Sequence, residues 1–330
     1  MTDKISKNYI PWIEKHRPKK IEDMMLDENM LFKFKKFIND KELPNIIISG
    51  IPGTGKTSTI RCIVDAFYGK YRNECVLELN AGTDRGMKSV ATMTAFCKKK
   101  IDFNPDKNNK LYCDHKIIIL DEADNIVTKS QNQINNLMEK YYKNTRFAFT
   151  CNYTPKINEN IQSRCILMKY NKVPIISIAL RLQKICDIEK VDYYDDSLNI
   201  LAAISQGDLR NAINNLQLVY NACYEIRPMY IYSICNKPKI EKINEILDAC
   251  KKKDFKVTIE KILAMNDDGF SEFDIILNMI FVINMDYSNL DENTKIIFLN
   301  HIHYSQFIMS KGFNTRLQLT SCISSIMLEL

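Results

Sequence analysis

Gly50-Ile51-Pro52-Gly53-Thr54-Gly55-Lys56-Thr57 is the stretch from which the rest of this chain is read. It has a glycine, four residues, then Gly-Lys-Thr, the spacing of a phosphate-binding loop. Before it, Asn45-Ile46-Ile47-Ile48-Ser49 is a short β-branched apolar run, expected as a buried strand. After it, Ser58 to Tyr68 sets Ile60, Ile63, Val64 and Phe67 at helical spacing. Strand, glycine loop and helix in that order give the motif its physical sense. Glycines let backbone N–H groups curl around an anion, and the helix N-terminus adds partial positive charge. Lys56 is then placed to reach β- and γ-phosphates, and Thr57 to hold Mg²⁺. A glycine-rich turn that binds nothing is the competing account. It is weak, because the chain has only 9 glycines and three of them fall in these eight positions.

A length of 330 residues predicts two or three domains, and 45% hydrophobic with 26% charged residues is ordinary for a globular protein with a sizeable core. The net charge of +6 permits contact with a polyanion without requiring it. The 11 cysteines contain no C-x-x-C pair, which argues against a zinc module and for a reducing compartment without a disulfide framework. No apolar run reaches membrane-spanning length and no targeting signal is seen, so a soluble intracellular protein is expected.

Lys116-Ile117-Ile118-Ile119-Leu120-Asp121-Glu122-Ala123-Asp124 is the second anchor. Its aliphatics predict a central strand, with carboxylates emerging at the C-terminal edge where open α/β sheets bind ligands. Asp121 is placed there to orient Mg²⁺ through its water shell, and Glu122 to polarise an attacking water. Val76 to Leu79, Arg146 to Asn152 and Ile166 to Met168 read as further strands, alternating with helices from Met87 to about Lys100 and from Ser130 to Tyr142. Residues 102–115 read as a polar loop. This alternation predicts an α/β fold, a doubly wound parallel sheet with helices on both faces, over residues 1–172. Asn152, at a strand end, can sit beside the carboxylates and hold a water, although asparagine there is often only a turn former.

After Val173-Pro174 strands are no longer expected. Helices over 175–189, 195–205 and 208–224 predict a small domain spanning 173–236. Arg210 lies in the first turn of the last of these, where a cation opposes the helix dipole and a ligand phosphate is a plausible partner. Residues 237–330 read as all helical, with apolar stripes that need an opposing surface within the domain or in another subunit. His301 and His303 do not share a helical face, so a metal site there is not expected.

Residues 9–24, containing the single Trp12, read as an extended arm because of Pro11 and Pro18. With the arm included, the chain resembles the small subunits of replication factor C, the AAA+ clamp loader family. The matching segments are 11–18, 43–58, 78–86, 118–124, 146–152, 161–165 and 207–217. Ser163-Arg164-Cys165 and the Trp-bearing arm narrow the resemblance from AAA+ proteins in general to clamp loaders. The resemblance implies an AAA+ P-loop NTPase domain, a lid and a helical collar that oligomerises. It implies Arg17 and Pro18 near the adenine, with Gly50, Ile51, Pro52, Gly53, Thr54, Gly55, Lys56, Thr57 and Ser58 around the phosphates. Asp121 and Glu122 become the Walker B pair, Asn152 resembles sensor 1, and Arg210 resembles sensor 2. Arg164 resembles an arginine finger acting in trans on the γ-phosphate held by a neighbouring subunit, a contribution of roughly 10³–10⁵ in rate. Arg85 and Lys88 fall where the family contacts DNA phosphates.

The implied partners are other clamp-loader subunits in a pentamer, a ring-shaped sliding clamp, and primer–template DNA bound without sequence specificity. ATP and Mg²⁺ are the implied ligands, in the nucleus of a eukaryote or the cytoplasm for an archaeal or viral source. The chain departs from the family pattern at His16 (usually Tyr), Gly82-Thr83 (usually Ser-Asp), Ile51 (usually Pro) and Asn135-Asn136 (usually an Arg pair). Two other readings compete. One is a different AAA+ DNA-remodelling ATPase of the helicase-loader type. The other is a nucleotide-binding scaffold subunit without turnover.

Overall fold

The computed structural model describes residues 10–82, 87–100, 113–235, 238–284, 288 and 290–330. They divide into two compact units, one ending at Arg227 and one beginning at Pro228. The three-part division expected from the sequence is finer than this.

The first unit opens with α1 (Trp12–Lys15), a single helical turn where extended chain is expected. Pro11 explains the difference. Its φ of −54° suits a helix start, and its carbonyl accepts from the N–H groups of Glu14 and Lys15. A proline excludes helix before itself, not the first turn after it. Then follow α2 (Glu28–Asp40), β1 (Ile46–Gly50), α3 (Lys56–Tyr68), α4 (Arg72–Cys75), β2 (Val76–Asn80), α5 (Met87–Lys98), β3 (Lys116–Asp121), α6 (Thr128–Lys140), β4 (Thr145–Cys151), α7 (Glu159–Gln162) and β5 (Ile166–Tyr170). Residues 101–112, most of the segment read as a polar loop, lie outside the described residues.

The five strands form one parallel sheet in the order β2-β3-β4-β1-β5. Alternation along the three central strands, β1, β3 and β4, shows why both faces are covered. Ile46, Ile48, Ile117, Ile119 and Ala148 join a core with α2 and α3. Ile47, Ile118, Leu120, Phe147 and Phe149 join another with α5 and α6. Strands buried on both faces must be apolar throughout, which is why they read as continuous Ile-rich runs. Because all five strands run parallel, the loops after β1, β3 and β4 open on the same edge.

Beyond β5 come α8 (Ile175–Glu189), β6 (Asp192–Tyr193), α9 (Asp195–Ile204), α10 (Leu209–Cys223) and β7 (Glu225–Ile226). The β6–β7 pair corrects the expectation that strands stop near residue 173. Two residues are too few to show a period of two, so no pattern in the chain marks them as strands. The second unit contains α11 (Pro228–Ile234), α12 (Ile240–Lys251), α13 (Phe255–Asp267), α14 (Glu272–Asn284), α15 (Glu292–Ser310) and α16 (Arg316–Glu329). Ile243, Leu247, Ile276, Met279, Phe298, Ile302 and Ile323 are among the residues of its own core. Asp254, Asp291 and Thr315 cap the N-termini of α13, α15 and α16.

One buried cation fixes a helix against the sheet. Lys116, at the start of β3, is 1% exposed. Its Nζ donates to the carbonyls of Phe96, Cys97 and Lys99 at 2.7–2.8 Å, satisfying the C-terminal end of α5. Burial lowers its pKa from the usual lysine value, against the opposing influence of Cys97 and Cys75. Lys116→Met keeps the apolar stem but strands these carbonyls. It is expected to reduce unfolding free energy by about 1–3 kcal/mol in urea titration, and a neutral result would deny the cap its role.

Candidate nucleotide site

A cleft of about 460 Å³ opens at the strand edge. Pro52 to Ser58 line it, together with Asp121, Glu122, Thr150, Asn152, Arg17, Pro18 and Arg210. Residues separated by up to 193 positions in sequence thus meet at one place. The loop after β1 can turn so tightly because Gly53 and Gly55 adopt φ of +74° and +92°. Gly53 has a second reason to lack a side chain. A Cβ there would lie 1.6 Å from Oδ1 of Asp208, the residue whose carboxylate caps α10. The start of α10 therefore comes directly against the loop and carries Arg210 to the cleft.

Lys56 is 9% exposed, and its Nζ donates to the carbonyls of Gly50 and Ile51 and to Oδ1 of Asn152, each at 2.8 Å. Burial lowers its pKa, opposed by Cys151, Asp121 and Asp124. Thr57 Oγ1 donates to the Asp121 carboxylate at 3.0–3.1 Å. The register of β1 against β4 pairs Ser49 with Cys151, which sets Asn152 next to Gly50. Glu122 leaves β3 with φ of +54°, a left-handed conformation that is costly for a non-glycine residue. That turn directs its N–H to Thr150 Oγ1 at 3.2 Å. Its carboxylate accepts from Asn125 Nδ2 at 3.3 Å. A Cβ at Gly82 would come within 2.9 Å of Glu122 Oε2, so glycine there leaves the carboxylate room.

Sequence reasoning missed Thr150. Its hydroxyl donates to Asp121 Oδ1 while accepting from Glu122, joining both carboxylate residues to β4. Only strand register could have revealed it, because a threonine within a strand carries no motif. The partners of the arm were also missed. Trp12 stacks on Tyr220 of α10 at 5.2 Å, and its backbone N–H donates to Gln217 Oε1. His16 and Lys15 both pair with Glu189 of α8, and Arg181 donates to the His16 carbonyl. Burial would raise the Glu189 carboxyl, but the hydrogen bonds and charges of Lys15 and His16 prevail and hold it below the usual carboxylate range. Its share of arm docking is complete above that range and is lost as pH falls through the lowered value. Arg17 Nε donates to Ser58 Oγ at 3.2 Å, so the same arm also reaches the first turn of α3.

Arg164 does not line this cleft. It sits beyond α7, with Asn45, Met138, Glu139 and Tyr142 around it. Arg85 lies outside the described residues, and so does the side chain of Lys88. His301 and His303 go to different partners, Glu329 and the Leu299 carbonyl. Among the described residues there is no cluster of three or more metal-ligating side chains, and no helix is long and apolar enough to cross a membrane.

This arrangement defines a P-loop nucleoside-triphosphate site, and comparison with known proteins places it further. Residues 46–171 match the family described as ATPase family associated with various cellular activities (AAA), and residues 238–325 match the replication factor C C-terminal domain. The chain is 38% identical to a replication factor C subunit 2 of Dictyostelium discoideum, over 97% of this chain and 92% of that one. It is 36% identical to a replication factor C small subunit of Acanthamoeba polyphaga mimivirus, over 98% of both. The Thermotoga maritima RuvB Holliday junction branch migration motor shares the fold at a TM-score of 0.53 and 14% identity, over 71% of this chain and 78% of that structure. The chain belongs to the replication factor C family of AAA ATPases.

Thr150→Val keeps shape but leaves the Glu122 N–H without its acceptor and Asp121 without one donor. We expect stability to fall by about 1–2 kcal/mol and ATP turnover to drop roughly tenfold, with ATP affinity by calorimetry nearly unchanged. Unaltered turnover would remove Thr150 from the site.

Proposed function

We propose that this chain is a small subunit of an ATP-driven clamp loader. In this reading ATP binding supports opening of a ring-shaped sliding clamp, and hydrolysis on primer–template DNA releases it. The observation that carries the proposal is the division of labour among chemistry-bearing residues within one chain. Lys56, Thr57, Asp121, Glu122 and Asn152 converge at one cleft, while Arg164 stands apart from it. An arginine so placed does not reach the chain's own cleft, which supports a role on the nucleotide of a neighbouring subunit.

On this reading Lys56 exchanges the Gly50 and Ile51 carbonyls for phosphate oxygens, and Arg210 approaches the γ-phosphate from α10. Arg17 and Pro18 lie at the base end of the cleft. Asn152 orients a water, and Glu122 takes its proton as the oxygen attacks the γ-phosphorus and ADP leaves. The Thr57 hydroxyl and the Asp121 carboxylate are hard oxygen donors already within 3.0 Å of each other, a fit for Mg²⁺. When bound, Mg²⁺ neutralises charge on the β- and γ-phosphates. Arg85 and Lys88 are proposed to contact DNA phosphates, an interaction independent of sequence and weakened by salt.

We assign residues 1–172 to nucleotide binding, 173–236 to a lid and 237–330 to a collar. Ile296, Tyr304 and Phe307 lie along one side of α15 and are more than half exposed, which supports a role in assembly. The implied compartment is that of the host's replication machinery.

The test is ATP turnover in the complex reconstituted with its partner subunits, with and without clamp and primed DNA. Stimulation by both together is expected. Glu122→Gln should retain ATP binding and cut turnover at its own site by roughly 10²-fold or more, as loss of a general base does. Arg164→Ala should cut turnover at the neighbouring site by roughly 10³-fold or more. Absence of stimulation by clamp and primed DNA would contradict the proposal.

A further inference from the structure

Arg164 is held at two levels. Its backbone N–H donates to the Ile161 carbonyl at 3.1 Å, and its carbonyl accepts from Asn45 Nδ2 at 3.5 Å. Asn45 Oδ1 in turn accepts from the Phe147 N–H at 2.9 Å, tying the turn to the sheet. The guanidinium is held separately. Nε donates to Asn135 Oδ1 at 3.0 Å, and Nη2 donates to Glu139 Oε1. Asn135 Nδ2 donates to the same Glu139 oxygen at 3.1 Å, closing a triangle. Asn135 and Glu139 are one turn apart on α6, so a single helix face presents both acceptors.

These contacts use one edge of the planar guanidinium, the edge formed by Nε and Nη2. Among the described residues, Nη1 makes no hydrogen bond within the chain. The side chain is 44% exposed. The edge joining Nη1 and Nη2 is thus available to an outside acceptor, and its plane is already fixed. A free arginine must surrender rotamer freedom when it meets a phosphate, whereas a docked one has already done so. Glu139 is itself 47% exposed, so solvent screens its charge and it does not cancel the arginine's attraction for an anion.

We infer that Asn135 and Glu139 are positioning residues for Arg164. They grip the guanidinium by its inner edge and leave the outer edge to meet the γ-phosphate of a nucleoside triphosphate bound by a neighbouring subunit. This rests on the reading of Arg164 as acting in trans. Asn135 supplies an acceptor that a cationic side chain could not, since arginine and lysine have only donors.

The test uses the full chain in the reconstituted complex, with clamp and primed DNA present. Asn135→Leu and Glu139→Ala are each expected to lower kcat roughly tenfold while leaving KM for ATP unchanged, the signature of lost positioning. Assembly mass, melting temperature and ATP binding by the chain's own loop should stay at wild-type values, since neither residue lines that cleft. In an Arg164→Lys background, which lacks the Nε edge, the same substitutions should have no further effect. If Arg164→Lys lowers turnover but Asn135→Leu and Glu139→Ala do not, the inference is overturned while the trans role stands. A rise in turnover would also overturn it, showing that the triangle restrains Arg164. If Arg164→Lys changes nothing, the trans role fails and the inference fails with it.

Discussion

The Asp121 carboxylate is shared by two hydroxyls, Thr57 from the phosphate loop's helix and Thr150 from β4. This shared acceptor fixes α3, β3 and β4 relative to one another at the cleft. A carboxylate partly removed from water needs its lone pairs satisfied, and here the partners that satisfy it also define the site. Thr150 extends the arrangement to Glu122 through its backbone N–H. The left-handed turn at Glu122 is the local cost of leaving the strand at once and aiming the next carboxylate along the edge. The sheet's parallel register makes this possible, because it brings the ends of β1, β3 and β4 level.

The parts of the fold that were legible in the sequence are those with a local period or a local motif. The Ile-rich β1 and β3 read as buried strands because both of their faces are covered, and the loop between β1 and α3 read as a phosphate cradle because its glycines are concentrated there. What was not legible depends on contacts between residues distant in sequence. The approach of Asp208 to Gly53 joins positions that no pattern relates. Lys116 read as the first residue of a strand, and nothing nearby indicated that it would cap α5. Trp12 stood out only as the single tryptophan of an arm, and Gln217 and Tyr220 as its partners came from the packing of α1 on α10. The prolines around it suggested extended chain because they forbid helix interiors, while Pro11 in fact begins a turn.

Within the first unit, the arm connects two parts of the site. Lys15 and His16 hold Glu189 of α8, Trp12 holds α10, and Arg17 reaches Ser58 beside the loop. Through α10 the same unit carries Asp208 against Gly53 and Arg210 into the cleft. A change at the nucleotide therefore has a short physical route to α8 and α10, through groups that already touch. Arg164 belongs to a different surface, held by α6 and by the turn after α7. In the proposed ring these two surfaces are the two halves of each composite site, and the chain contributes one half to each of two nucleotides.

The claim that the site is composite is tested most directly by single-turnover hydrolysis of ATP bound to the isolated full chain, before and after its partner subunits are added. The account predicts that the isolated chain binds ATP and hydrolyses it slowly, and that assembly raises the rate by roughly 10³-fold or more. An isolated chain that hydrolyses bound ATP as fast as the assembled complex would contradict it.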